Sequence, residues 1–230
     1  MTGVQTFALP IYGSNVSDAC PKPMGPDMDI GNSPILKTLA NGKRVLIAGT
    51  KSADIFALDP DDNGKLLYRI HPLGLPLNGN GRGRASIVWG GAIDNQLAYY
   101  GIGGGGLAAI QPATGERAWL FTPPAPADSP AGGRGRGVSL GAAATAIPGV
   151  VFQGASDGTL YAVSAADGKQ IWSYPTAKEF ETINRVFPAH GGAISTSGAI
   201  VVDGMVYVGS GYAVGSGAQG GNVLLAFGIE

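Results

Sequence analysis

The chain is poor in charge, cysteine and histidine, and each shortage removes a class of function. Only 13% of its 230 residues are charged and the formal net charge is -1, so there is no broad basic field for nucleic acid and no acidic tail. Polyanion binding is excluded as its main task. One cysteine (Cys20) and two histidines (His71 and His190) cannot build a cysteine/histidine zinc site, a disulfide framework or a C-x-x-C-H haem attachment. A metal here would have to be held mostly by oxygen. Long hydrophobic runs are also missing: no stretch approaches the roughly eighteen consecutive apolar residues of a membrane span. Met1 to Tyr12 lacks the basic start, apolar middle and small-residue cleavage site of a secretory signal. It also differs in character from everything that follows, and residues 1–18 read as a non-native or disordered leader to a domain at 19–230.

What the chain has in quantity is glycine and proline, 39 and 16 residues, with 44% of the sequence apolar. That apolar share, arranged in short runs, is enough to bury against the entropy of ordering, so disorder is a poor reading. The glycines are placed periodically. Gly149 to Tyr174 (GVVFQGASDGTLYAVSAADGKQIWSY) contains an apolar run, a turn, an alternating run, an Asp-Gly turn and a run ending in aromatics. The plan recurs upstream at Val45 to Tyr68 and Leu97 to Phe121, and downstream at Val201 to Phe227. Turn glycines Gly64, Gly115 and Gly168 lie 51 and 53 residues apart, and Tyr68, Trp119 and Trp172, four positions later, keep that spacing. Internal repeats of this period indicate a solenoid, propeller or array.

Within each unit, runs rich in Val, Ile, Tyr and Phe are separated by Asp, Asn and Gly turn chemistry, which reads as antiparallel hairpins. A further strand precedes each trio, at Pro34 to Leu39, Ser86 to Ile93, Ser139 to Ile147 and Ala193 to Val201. Four strands per fifty-odd residues, repeated radially, predict an all-β fold, a β-propeller with blades near 29–70, 84–121, 136–174 and 190–230. The last unit reads as three strands. Four blades with an incomplete terminal one suggest the carboxy-terminal half of an eight-bladed ring. A closed four-bladed ring or a dimer of half-rings is the alternative.

Superposing the units on Gly49, Gly101, Gly154 and Gly209 places Asp29, Arg84, Arg136 and His190 just before the first strand of each blade. In a propeller those entries converge at one mouth of the central channel. Asp27 adds a carboxylate two positions before Asp29, on the same side of an extended stretch. Convergence of such groups is the usual signal of a site. Plainer readings stand beside this one: Asp29 as a turn carboxylate, the arginines as parts of solvated Gly-Arg-Gly-Arg loops, and His190 as a turn residue. Trp89 reads equally as packing, and Lys51 as a solvent-facing lysine.

Three motif matches carry nothing. Gly101-x-Gly103-x-x-Gly106 has no helix to present to a pyrophosphate. Asp59 to Gly64 has calcium-loop composition but lacks the terminal glutamate of such a loop, so a hairpin turn is the reading. There is no G-x-S-x-G elbow, and two histidines give a Ser-His-Asp triad little support.

The turns Ala113-Thr114-Gly115-Glu116-Arg117-Ala118-Trp119 and Ala166-Asp167-Gly168-Lys169-Gln170-Ile171-Trp172 resemble the docking repeats of pyrroloquinoline quinone (PQQ) dehydrogenases. More specific are Cys20-Pro21, Gly25-Pro26-Asp27-Met28-Asp29-Ile30-Gly31-Asn32-Ser33-Pro34, Val45 to Ser52, Trp89-Gly90 and Met205 to Tyr212 with Gly221 to Phe227. Together they are similar to the polyvinyl-alcohol dehydrogenase branch of that family. The resemblance implies PQQ-dependent oxidation of a secondary or polymeric alcohol, with PQQ and calcium as cofactors. By position, Asp29 would be the catalytic base and, with Asp27, a metal ligand, and Lys51 would polarise the quinone carbonyls. Trp89, Arg84, Arg136 and His190 are the remaining cofactor-binding candidates. The implied partners are the alcohol, a cytochrome c or other electron acceptor, and the amino-terminal half of the propeller, in a periplasmic or secreted setting. The fragment alone would be inactive. A non-catalytic scaffold of the outer-membrane assembly type, and a glycan-binding propeller, are the rival expectations.

Overall fold

A computed structural model of the chain describes residues 29–75, 85–124, 138–213 and 218–228. They form fifteen strands in four antiparallel sheets, each with its strands in sequence order. Blade one holds β1 (Ile35–Thr38), β2 (Arg44–Gly49), β3 (Ile55–Asp59) and β4 (Lys65–Ile70). Blade two holds β5 (Gly91–Ile93), β6 (Ala98–Gly101), β7 (Leu107–Ile110) and β8 (Arg117–Phe121). Blade three holds β9 (Thr145–Ile147), β10 (Val150–Gly154), β11 (Thr159–Ser164) and β12 (Gln170–Pro175). Blade four has three strands, β13 (Ile200–Val202), β14 (Met205–Ser210) and β15 (Val223–Phe227). The repeat, its strand order and the three-stranded last unit agree with the sequence reading.

Three of the first strands are shorter than expected at their amino-terminal side. The residues ahead of them are committed to loop contacts instead of a ladder. Ile87 N–H donates to Thr50 of blade one at 2.9 Å, and Ile194 N–H donates to Ala155 of blade three at 2.9 Å. Each entry segment is thereby stitched to the preceding blade before its own sheet begins.

Alternation within the strands sends one face of each sheet toward its neighbour. Val45, Ile47 and Ile55 pack against Ile87, Tyr100 and Ile110 between blades one and two. Tyr99, Leu107, Val151 and Val163 fill the next interface, and Phe152, Leu160, Ile194 and Val208 the third. Each such side chain, fully buried, contributes about 1.5–3 kcal/mol. The first strand β5 neighbours both β1 and β9, as successive first strands of a propeller do.

The 51- and 53-residue spacings have a physical cause. Gly115 and Gly168 adopt φ of 76° and 71°, a left-handed turn that glycine enters freely. Each supports an aromatic ring from the preceding blade: a Cβ on Gly115 would lie 2.6 Å from Tyr68 Cδ2, and one on Gly168 would lie 2.7 Å from Trp119 Cε3. The rings are anchored, since Tyr68 Oη–H donates to the Pro112 carbonyl at 3.1 Å and Trp119 Nε1–H to the Ala165 carbonyl at 3.0 Å. Tyrosine in blade one therefore does the work of tryptophan in blade two. The two outward sheet faces stay apolar and open, with Leu36 55% and Leu66 52% exposed on blade one, and Ile200 66% and Leu224 73% exposed on blade four.

Candidate functional site at the entry to blade one

The β2–β3 loop is a tight turn closed by Thr50 N–H to the Asp54 carbonyl (3.0 Å) and Ala53 N–H to the Thr50 carbonyl (2.9 Å). Lys51 projects from it. Its backbone N–H donates to the Asp29 carbonyl at 3.0 Å, and its Nζ lies 2.9 Å from Asp29 Oδ1. The two residues, one from the entry to blade one and one from its β2–β3 loop, thus meet at one place. Their side chains are 33% and 55% exposed, so as an ion pair the contact is worth at most about 1 kcal/mol. Its significance lies in placing an ammonium beside a carboxylate within reach of a ligand.

Asn32, which the sequence did not single out, holds this arrangement. Its Nδ2 donates to the Gly49 carbonyl at 2.9 Å, with a longer approach to the Ile87 carbonyl at 3.5 Å. Gly31 leaves room for Val88, whose Cγ1 would sit 3.2 Å from a Cβ there. The stretch from Asp29 to Asn32 is therefore wedged between the end of β2 and the entry to blade two. Trp89 follows directly in that entry and is 44% exposed. The Asn32 Oδ1 is buried and has no hydrogen-bond partner among the described residues, an acceptor left for a donor or a cation.

His190 enters a different network. Its backbone N–H donates to Asn222 Oδ1 at 3.0 Å, its carbonyl accepts from Asn222 N–H at 2.9 Å, and its ring nitrogens lie 3.3 and 3.4 Å from Gln219 Nε2. It is tied to blade four's own glycine-rich loop. Asp27, Arg84 and Arg136 lie outside the described residues.

The donor set can be compared with the groups the sequence implies. The Asp29 carboxylate and the unpartnered Asn32 amide oxygen are hard oxygen donors of the kind calcium takes, and Lys51 suits an anionic, carbonyl-rich cofactor. Among the described residues there is no group of three or more His, Cys, Asp or Glu side chains that could hold a metal. The described residues offer two such oxygen donors and one ammonium at the blade-one entry.

Four-stranded blades docked aromatic-on-glycine define a repeat β-propeller. Residues 90–227, more than half of the chain, match the family described as PQQ, glucose/ethanol/alcohol dehydrogenase, beta-propeller domain, and the chain belongs to that family. It is 37% identical over 181 residues to a polyvinylalcohol dehydrogenase of Pseudomonas sp., covering 73% of this chain and 26% of that protein. It is 35% identical over 230 residues to a polyvinylalcohol dehydrogenase of Sphingopyxis sp. (strain 113P3), covering 92% of this chain and 34% of that protein. The chain thus spans about a quarter to a third of the length of these relatives. Among solved structures, quinohemoprotein alcohol dehydrogenase ADHIIG from Pseudomonas putida HK5 matches with a TM-score of 0.60 at 17% identity, over 89% of this chain and 33% of that one. BamB from Moraxella catarrhalis matches with a TM-score of 0.52 at 19% identity, over 79% and 47%. At those identities the likeness concerns the fold alone.

Proposed function

We propose that this chain supplies part of the active site of a PQQ-dependent alcohol dehydrogenase acting on a secondary or polymeric alcohol. The observation that carries the reading is the 2.9 Å contact of Lys51 Nζ with Asp29 Oδ1. Asp29 accepts the hydroxyl proton of the bound alcohol at its carboxylate, as a general base within hydrogen-bond reach. Lys51 places a positive charge where negative charge gathers on the acceptor, and Asn32 keeps both on one rigid wedge. A bound PQQ would supply the two-electron acceptor that takes the hydride from the carbinol carbon, leaving a ketone or aldehyde. Asp29, through its carboxylate, and Asn32, through Oδ1, would be this chain's contributions to a calcium ion, and Asp27 is proposed as a further ligand. Trp89, Arg84, Arg136 and His190 are proposed as further cofactor contacts.

The open apolar faces of blades one and four fit further blades of a longer polypeptide, in keeping with the partial coverage of the relatives. A cytochrome c or another acceptor would take the electrons onward, and the setting would be periplasmic or secreted. No helix among the described residues is long and apolar enough to cross a membrane.

The experiment is to express the longest open reading frame that carries this sequence, titrate it with PQQ and calcium, and follow dye reduction with alcohols. Quinone binding with alcohol-dependent reduction is expected, falling about 10²–10⁴-fold in Asp29→Ala. Absence of quinone binding would remove the enzyme reading, and turnover surviving Asp29→Ala would remove the role of Asp29. The second reading, a non-catalytic propeller that binds a protein partner, is favoured by the exposed apolar faces and requires that same absence of quinone binding.

A further inference from the structure

On the face of the blades opposite the Asp29 entry, the β1–β2, β5–β6, β7–β8 and β11–β12 turns enclose an open groove of about 650 Å³. That volume lies within the range of small-ligand sites. Its polar residues are Asn41, Asn95, Gln96 and Gln111, each with a carboxamide, together with Thr38 and Lys37. Its walls are aliphatic, from Leu39, Pro112, Ala113 and Ala166, and among the described residues no aromatic ring lines it.

The groove is pre-formed, because every turn around it is pinned. Asp94 Oδ1 accepts from the N–H groups of Gln96 (2.7 Å) and Leu97 (2.8 Å), and its Oδ2 from Tyr99 Oη–H (2.7 Å). Asn41 Oδ1 accepts from Lys43 N–H at 3.0 Å. The Pro112 and Ala165 carbonyls are held by Tyr68 and Trp119. A ligand would therefore meet little ordering cost in the protein. The groove is also electrically balanced. Lys37 Nζ approaches Asn95 Oδ1 at 3.5 Å. Burial works against the charge of Asp94, yet its hydrogen bonds and the nearby Lys37 hold it below the usual carboxylate range. One cation beside one anion leaves no net attraction for an ionic ligand.

We infer that this groove is a binding site for a neutral polymer that bears hydroxyl groups on an aliphatic backbone. A carboxamide donates and accepts at once, as a hydroxyl does, so four of them can read a run of hydroxyls without selecting a charge. The aliphatic walls match methylene units. The absence of a ring on which a sugar face could stack sets a saccharide at a disadvantage. The site would hold a long substrate at a distance from Asp29, and it rests on the alcohol-oxidising reading only for the choice of probe.

The test titrates the 230-residue chain with poly(vinyl alcohol), without quinone or calcium, by calorimetry and by NMR of side-chain amides. Binding in the range of about 0.1–1 mM is expected, with shifts at the Gln96 and Gln111 amides. A Gln96→Ala, Gln111→Ala double variant, altered only at exposed turn positions, should weaken it about tenfold while leaving the melting temperature unchanged. Ala166→Phe, which fills the groove, should do the same by a second route. Three results would overturn the inference: no binding, binding untouched by both variants, or equal affinity for a maltooligosaccharide. Because no turnover is read, a failed polymer titration is distinct from a failed quinone titration.

Discussion

Lys51 is joined to Asp29 twice, by its ammonium to Oδ1 at 2.9 Å and by its backbone N–H to the carbonyl at 3.0 Å. The second link needs no side chain, so truncating Lys51 leaves the Asp29 segment in place. In a quinone-loaded longer protein, Lys51→Ala should lower kcat about 10²-fold with little change in melting temperature. Lys51→Arg should recover part of the loss. A parallel loss of stability and rate would show that Lys51 acts through the fold.

Asp54 is 2% exposed, and its Oδ2 accepts from Arg69 Nε at 3.0 Å, with the Arg69 guanidinium also 5.2 Å from the Phe56 ring centre. Arg69→Ala would leave a buried carboxylate without this partner, at a cost of about 3–5 kcal/mol. Chemical denaturation of Arg69→Ala, Asp54→Asn and the double variant should show the double variant losing less than the two single losses combined.

The stability of the chain should fall on mild acidification because of His71. Burial pushes its pKa below the ordinary value, with the Asp54 charge opposing in part, and its Nδ1 accepts from Leu73 N–H at 3.3 Å, as only an unprotonated nitrogen can. Between the folded and unfolded pKa values the unfolded chain binds more protons. The contribution is therefore complete above the unfolded value, near pH 6.5, and is lost as pH falls from there through the folded value. Denaturation midpoints measured from pH 7.5 to 5 should decline, and His71→Gln should flatten that part of the decline.

Two glycines separate backbone strain from blade docking. Gly42 has φ of 80° with nothing within 4 Å of a Cβ, whereas Gly168 has φ of 71° and the Trp119 ring at 2.7 Å. Gly42→Ala should cost about 1 kcal/mol, the strain alone. Gly168→Ala should cost that and about 1–3 kcal/mol more for displacing the ring. Equal losses in thermal unfolding would mean that the ring moves aside freely.

The blade plan was legible because it repeats: Gly64, Gly115 and Gly168 and the aromatics four residues later carry both turn and interface in one spacing. The start of each first strand was not. Ile87 and Ile194 have the composition of strand residues, and only the neighbouring loops of Thr50 and Ala155 divert their hydrogen bonds. Asp29 is reached by superposing the repeats and Lys51 through family likeness, and the structure brings them to contact. Asn32 had no signal of its own, since its amide acts on carbonyls 17 and 55 residues away. The Asp54 and Arg69 pair was equally silent, a charge buried by a turn and matched from a strand.

The docking of each aromatic on the turn glycine of the following blade points in one direction along the chain. Tyr68 reaches forward to blade two and Trp119 reaches forward to blade three. Such an interface is heterologous, joining unlike surfaces head to tail, as in cyclic assemblies whose closure depends on rotation per step. The same joint repeats from blade to blade, and lengthening or shortening the series by whole repeats would reuse it.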